Sequence, residues 1–193
     1  MFDSFSTPIQ TKALTLDGIQ RASGLNWVEV DLNSPQIPSA QGIYVWVEAD
    51  SPHALWYHGS GNGKGGLRAR LMNQLRWRTN QITRAALDPS DTNETDAYNF
   101  AREVPAVQQA AGNRRLFYAL AVQAPWSIER NAIAPPSGAL EWESFISAVS
   151  LLTNGHRGLI GGGAWESKTG TIAELMTDLA WDRLVDLEGI NWV

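Results

Sequence analysis

With 193 residues, 44 % of them apolar, and a formal net charge of −5, the chain has the length and composition of one globular domain with a real hydrophobic core. It contains no cysteine, which excludes disulfides, thiolate metal sites and thiol catalysis. Neither a signal peptide nor an apolar run long enough for a membrane span is recognisable, so we expect a soluble, cytoplasmic protein without a membrane partner.

The first part of the chain predicts an N-terminal extension, residues 1–39, in front of a core at about residues 40–155. A short helix is expected around residues 16–22, closed by Gly24. Apolar and polar residues then alternate over 27–32, which predicts a half-buried strand. A proline-punctuated loop follows and leads into the core.

Two strand-like runs at 42–48 and 54–58, joined by a short turn, predict a β-hairpin. Leucines at 67, 71 and 75 predict a helix from residue 67 to about residue 79. Between hairpin and helix, residues 61–66 match the G-x-G-x-x-G pattern of dinucleotide sites, but an antiparallel hairpin precedes them where such sites have a βαβ unit. We interpret the segment as a turn whose open amide groups can hold a phosphate.

The charge is concentrated in this region. No acidic residue lies between Asp50 and Asp88, whereas six basic residues do. The rest of the chain has nine basic against twenty acidic residues, a net charge of −11. An acidic protein with one cationic face can bind a phosphate backbone locally, because contacts depend on the local potential.

The second half of the chain predicts further elements and a C-terminal loop and helix over residues 156–193. The predicted elements are an acidic insertion at 88–96, a helix at 98–111 that is kinked or split at Pro105, a central strand at 115–123, a helix from 139 to about 152, a glycine-rich loop at 156–170, and a final helix with Ile172, Leu175, Met176 and Leu179 on one face. All of it fits a single domain.

One ordered set of motifs resembles the GIY-YIG nuclease family. It consists of Gly42-Ile43-Tyr44, Tyr57-His58-Gly59, Arg70-Leu71 and a distant glutamate. The resemblance implies an α+β fold with a small central antiparallel three-stranded sheet flanked by helices. It also implies a hydrolase, an endonuclease that cleaves phosphodiester bonds in DNA with one Mg²⁺ or Mn²⁺ ion, RNA remaining open as a substrate.

The same resemblance implies the roles of four catalytic residues. Tyr44 and Tyr57 would position or deprotonate the attacking water beside the scissile phosphate. Arg70 would stabilise the charge that grows in the transition state. Glu141 would be the metal ligand, with Glu143 as the competing candidate two residues on.

Other polar residues would contact nucleic acid. These are Lys64, Arg68, Gln74, Arg76, Arg78 and Asn154. Two positions depart from the family pattern: His58 replaces the usual isoleucine, and Gln74 stands where a histidine is frequent. We expect His58 to be a packed or hydrogen-bonded structural residue on the strand face opposite Tyr57.

The size of the chain leaves two forms of the enzyme open. It fits a compact restriction-type endonuclease or a structure-specific one, and a homodimer would allow cleavage of both strands. The alternative function is a catalytically inactive GIY-YIG-like module that binds nucleic acid or protein.

Overall fold

The computed structural model describes residues 14–78, 114–128, 133–154 and 170–188, and these form an α+β fold. The predicted insertion at 88–96, the predicted helix at 98–111 and the glycine-rich loop up to residue 169 lie outside these ranges. The elements are α1 (Leu16–Ser23), β1 (Val28–Glu29), β2 (Gly42–Glu48), β3 (Leu55–Gly61), α2 (Gly66–Arg78), β4 (Arg114–Leu120), α3 (Ala139–Asn154) and α4 (Gly170–Glu188).

The sheet is antiparallel with the strand order β1-β4-β2-β3. The expected α+β fold with an antiparallel sheet is confirmed, but among the described residues the sheet has four strands instead of three, because the short strand β1 is added at its edge. Val28 pairs with Tyr118 at that edge, and both residues of β1 are exposed, so the predicted half-buried strand is shorter and more open than expected. At the other end of the sheet, β3 is the outer strand.

Alternating side chains give the sheet two buried faces. Ile43, Val45 and Val47 of β2 contribute to a cluster with apolar residues of α1, α3 and α4. Tyr44 and Trp46, which alternate with them, pack on the other face in a cluster with the first turns of α2. The position of α2 on this second face decides which side chains surround the motif tyrosines.

Two glycines of β3 allow this close packing. Gly59 lies opposite Tyr44 in the strand register, and a Cβ atom on Gly59 would lie 2.7 Å from Cζ of the tyrosine ring. A Cβ atom on Gly61 would lie 2.5 Å from the backbone nitrogen of Leu67. The glycines therefore admit the Tyr44 ring over β3 and the start of α2 against its end.

The ends of helix α1 are formed by capping residues that can be recognised in the sequence. Thr15 caps the N-terminus of α1, and Gly24 closes it in the left-handed conformation with φ 65°. Met176 and Leu179 of α4 are buried as predicted, but Leu175 is 39 % exposed and does not belong to the buried face. In the described part of the chain, we find no helix with the length and apolarity of a membrane span.

Candidate active site

Tyr44 and Tyr57 lie side by side on the α2 face of the sheet. Their ring centroids are 6.0 Å apart, with the ring planes tilted by 32°. Both side chains are buried, with exposures of 0 % for Tyr44 and 4 % for Tyr57. The two motifs, which are separated along the chain, therefore meet through the pairing of β2 with β3.

Helix α2 places two polar side chains on the Tyr44 hydroxyl. Nε2 of Gln74 donates a hydrogen bond of 2.6 Å to it, and Nε of Arg70 donates one of 3.3 Å. Arg70 and Gln74 are four residues apart on a helix and so share one side of it. The phenol oxygen thus accepts two hydrogen bonds, one of which comes from a cation and is charge-assisted.

Gln74 is a connecting residue within the core. Its Oε1 accepts a 3.0 Å hydrogen bond from Nε1 of Trp46, while its Nε2 donates a hydrogen bond to the Tyr44 hydroxyl. Its side chain is fully buried, so the structure places it away from the surface where a nucleic-acid contact was predicted. A glutamine can satisfy both neighbours because its amide carries a donor and an acceptor.

His58 faces the other side of the sheet, as the alternation of β3 predicts. Its Nε2 lies 2.6 Å from Oγ of Ser147 on α3. Its Nδ1 is buried and has no hydrogen-bond partner within the described ranges. Burial disfavours the charged imidazole and lowers the pKa of His58 to about 4, so the residue is neutral at pH 7.

Glu141 caps its own helix. Its Oε2 accepts hydrogen bonds from the backbone nitrogens of Ser137 and Gly138, at 2.8 and 3.0 Å, and from the Ser137 hydroxyl at 3.1 Å. A glutamate in the first turn that reaches back to these amides satisfies donors that the helix cannot. Burial alone would raise the pKa of Glu141, but these hydrogen bonds hold the pKa below its usual value.

Glu143 instead points toward the sheet. Its Oε2 accepts a hydrogen bond from the hydroxyl of Ser60 in β3. Ser60 follows Gly59, the residue beneath the Tyr44 ring, but its side chain lies on the α3 face. The Tyr44 hydroxyl and the Glu143 carboxylate therefore meet adjacent residues of the outer strand from opposite faces.

The remaining residues predicted to contact nucleic acid lie on or beside α2, except Asn154. Lys64 and Arg68 are exposed, and Arg68 lines an open groove of 340 Å³ on the side of α2 away from the sheet. Arg76 and Arg78 lie in the last turn of α2 and Asn154 ends α3, and these three side chains are outside the described structure.

The glycine-rich turn does not present open amides at the start of α2. The backbone nitrogens of Gly66, Leu67 and Arg68 donate to the carbonyls of Gly63, Ala40 and Pro38, at 2.9, 2.8 and 3.1 Å. The expectation that these amides hold a phosphate was therefore wrong for these three residues. The same bonds remove the helix N-terminus that a dinucleotide site would use.

Two side-chain contacts near the motif residues escaped the motif-based prediction. The link between Gln74 and Tyr44 has a signal in the sequence, since Arg70 and Gln74 are one helical turn apart after the motif. The contact between Ser60 and Glu143 has none, because it depends on how α3 lies across β3.

Carboxylates are the candidate ligands for the divalent cation that the family resemblance implies. Among residues 14–78, 114–128, 133–154 and 170–188, no group of three or more His, Asp or Glu residues comes together. A hard cation bound to a phosphate can be held by one carboxylate with waters completing the shell. Oε2 of Glu141 accepts from three donors at the start of its own helix, whereas Oε2 of Glu143 accepts from the Ser60 hydroxyl of β3.

Comparison of the chain with family models, with curated proteins and with solved structures finds no match.

Proposed function

We propose that this protein is a metal-dependent endonuclease of the GIY-YIG type that hydrolyses phosphodiester bonds in DNA. The observation that supports it is the contact of Arg70 with the Tyr44 hydroxyl beside the Tyr57 ring. Three of the four expected catalytic residues, which come from three different elements, form one cluster. Because Gln74 already donates to the buried Tyr44 hydroxyl, the additional contact with Arg70 is the feature that favours a role beyond packing.

In this proposal Arg70 is the phosphate-contacting residue. Arg70 is half-buried, so an electrostatic contact there is stronger than on an open surface. Tyr44 is fully buried and acts as the positioning residue that orients Arg70 through Nε. Tyr57 retains the little exposure that the pair has, so we assign the attacking water to Tyr57.

The cation, Mg²⁺ or Mn²⁺, would be held by one carboxylate of α3. Glu143 and Glu141 are the candidates, and the contact of Glu143 with the edge strand favours it. When bound, such an ion supplies Lewis-acid polarisation of a phosphoryl oxygen. The protein itself contributes the fixed position of the carboxylate, which the Ser60 hydroxyl holds against β3.

A second candidate function is a nuclease-like fold that binds nucleic acid or protein without cutting. The observation in its favour is the complete burial of Tyr44, whose hydroxyl is bound by two side chains of α2. A core tyrosine in this position can serve folding alone. RNA as a substrate and a homodimer that cuts both strands are proposals that belong to the endonuclease, not to this second candidate.

The deciding experiment incubates purified protein with supercoiled plasmid and with a structured RNA, in Mg²⁺, in Mn²⁺ and in EDTA. The endonuclease proposal expects nicked plasmid with either metal and none in EDTA. Direct linearisation without accumulation of the nicked form would indicate that both strands are cut in one encounter, as a dimer would do. Intact DNA and RNA under every metal condition, with the protein folded, would favour the binding module.

A further inference from the structure

We propose that the outer side of α2 binds one nucleotide of a nucleic-acid strand, in the groove lined by Ser39, Gly65, Arg68, Ala69, Met72 and Asn73. Resting on the proposed function, this assigns a part of the substrate that lies away from the reacting phosphate. Arg68 takes the phosphate, and Met72 and Asn73 contact the base. The groove is open to solvent and has a volume of 340 Å³.

The two walls of this groove are fixed to each other. One wall is the loop containing Ser39, and the other is α2. The backbone nitrogen of Leu67 donates to the carbonyl of Ala40 at 2.8 Å, and that of Arg68 donates to the carbonyl of Pro38 at 3.1 Å. These bonds lie directly on either side of Ser39, so the groove is formed before a ligand arrives and needs little ordering on binding.

The groove is separate from the Arg70–Tyr44 cluster. Arg68, Ala69, Met72 and Asn73 recur at spacings of three and four residues and so share one side of α2, and Gly65 directly precedes the helix. Arg68 and Arg70 are two residues apart, about 200° around the helix, and cannot contact the same phosphate side by side. A strand bound in the groove is therefore held by contacts additional to those at the site of cleavage.

The charges around the groove favour an anion. Neither the loop at 33–41 nor the segment at 62–75 contains a carboxylate, and the exposed Lys64 adds a second cation beside Arg68. Aspartate or glutamate in either wall would repel a phosphate backbone, and none is present. The local charge is thus complementary to nucleic acid although the whole protein is acidic.

The other side chains favour a nucleotide over a simple anion. The exposed Asn73 amide has donors and an acceptor that can pair with the edge of a base. Met72 is half-buried, and its flexible thioether side chain can pack against a base face. An inorganic anion would use Arg68 alone, whereas the combination of guanidinium, amide and thioether matches phosphate, base edge and base face.

The test measures binding of the full chain to fluorescein-labelled single-stranded dA, dC and dT oligonucleotides by fluorescence anisotropy. EDTA is present, so cleavage does not intervene, and the salt concentration is varied. We expect Arg68→Gln to weaken binding of all three oligonucleotides alike and to reduce the salt slope by about 0.7. We expect Asn73→Ala to change the ratio of affinities among them about fivefold or more while the salt slope stays the same.

A matched control is Arg21→Gln, which removes an exposed arginine of α1 that is paired with Asp17. It should leave affinity and salt slope unchanged. The inference is overturned if the wild type binds none of the oligonucleotides, if Arg68→Gln behaves like the control, or if Asn73→Ala affects all three equally. A protein that shows the expected pattern but never cuts DNA keeps this site and loses the proposed nuclease activity. One that cuts DNA with both variants indistinguishable from wild type keeps the activity and loses this site.

Discussion

The hydroxyl group of Tyr44 has two consequences at the scale of a single residue. It orients Arg70, and it satisfies a buried amide, because Nε2 of Gln74 donates to it at 2.6 Å. A catalytic interpretation of this tyrosine therefore cannot be separated from a structural one by activity alone. Stability measurements on the hydroxyl-deleted variant are needed beside the rates.

We expect Tyr44→Phe to lower the free energy of unfolding by about 1–3 kcal/mol, because it leaves the buried Gln74 donor without its acceptor. Urea denaturation measures this change. Tyr118→Phe is the matched control: Tyr118 is half-buried, and within the described residues its hydroxyl makes no hydrogen bond, so the change should stay within about 0.5 kcal/mol. Equal stability of Tyr44→Phe and wild type would show that the hydroxyl is not bound as described.

His58 makes stability depend on pH. Its pKa in the folded protein is about 4, against 6.5 for the free side chain, so the unfolded chain binds its proton at higher pH than the folded one. Stability is complete above about pH 6.5 and is lost as the pH falls toward 4, by up to about 3 kcal/mol. Below pH 4 this residue causes no further loss.

The comparison variant is His58→Gln, which keeps a polar partner for Ser147 but has no group that titrates. Urea denaturation from pH 7 down to pH 4 should show a shallower decline of stability for this variant than for wild type. Parallel declines for the two proteins would show that His58 is not buried as a neutral residue.

At the scale of elements, the pairing of β2 with β3 decides the geometry of the tyrosine cluster. We expect Gly59→Ala to destabilise the protein by about 1–3 kcal/mol, because the added methyl group would overlap the Tyr44 ring. Thermal or urea unfolding measures the loss. Gly63→Ala, where nothing lies within 4 Å of the added atom, should change stability by no more than about 0.5 kcal/mol. If Gly59→Ala is as stable as Gly63→Ala, the ring does not lie on β3.

The two candidate metal ligands at the start of α3 can be distinguished by their contacts, because Glu141 caps the helix and Glu143 contacts β3. We expect Glu141→Ala to lower stability by about 1 kcal/mol through loss of the helix cap and to keep cleavage activity where the protein is folded. Glu143→Gln, which preserves an acceptor for Ser60, should keep stability and abolish cleavage. The reverse pattern of activities in the plasmid assay would return the metal-ligand role to Glu141.

Much of this architecture could be predicted from the spacing of apolar residues and from the glycines and prolines that end helices and strands. Leu67 and Leu71 are buried on α2 as their spacing indicates, and Gly24 ends α1 as expected. The roles of the side chains around the site were harder to predict from the sequence, because they depend on tertiary packing. Gln74 was predicted to contact nucleic acid because it is polar and lies one helical turn after Arg70. Only the approach of α2 to Trp46 shows that it is a core residue.

The same limit applies to the acidic residues. Glu141 and Glu143 are two residues apart in similar sequence, and their difference depends on where α3 begins and on which strand it crosses. Strand β1 was overestimated for a related reason: alternation over 27–32 is real, but only Val28 and Glu29 have a partner strand in β4. Pairing and helix position are long-range properties, which a local pattern cannot contain.

At the scale of the whole molecule, an acidic protein carries five of its fifteen basic residues on or directly before one helix, α2. Arg70 of α2 points into the tyrosine cluster, whereas Arg68 lines the groove on its outer side. The two arginines therefore have separable roles, one in the chemistry and one in binding. Their separation makes the central claim testable within a single helix.

The most direct measurement compares the rates of plasmid cleavage by wild type, Arg70→Ala and Arg68→Ala with saturating protein and Mg²⁺, while DNA binding in EDTA is followed in parallel. We predict that Arg70→Ala slows cleavage by about a hundredfold or more, since it removes a charge that stabilises the transition state, and that its DNA affinity changes little. Arg68→Ala should weaken binding and leave the rate at saturation near that of wild type. Wild-type cleavage by Arg70→Ala, or no metal-dependent cleavage by the wild-type protein, would contradict the assignment of the Tyr44–Arg70–Tyr57 cluster as a nuclease site.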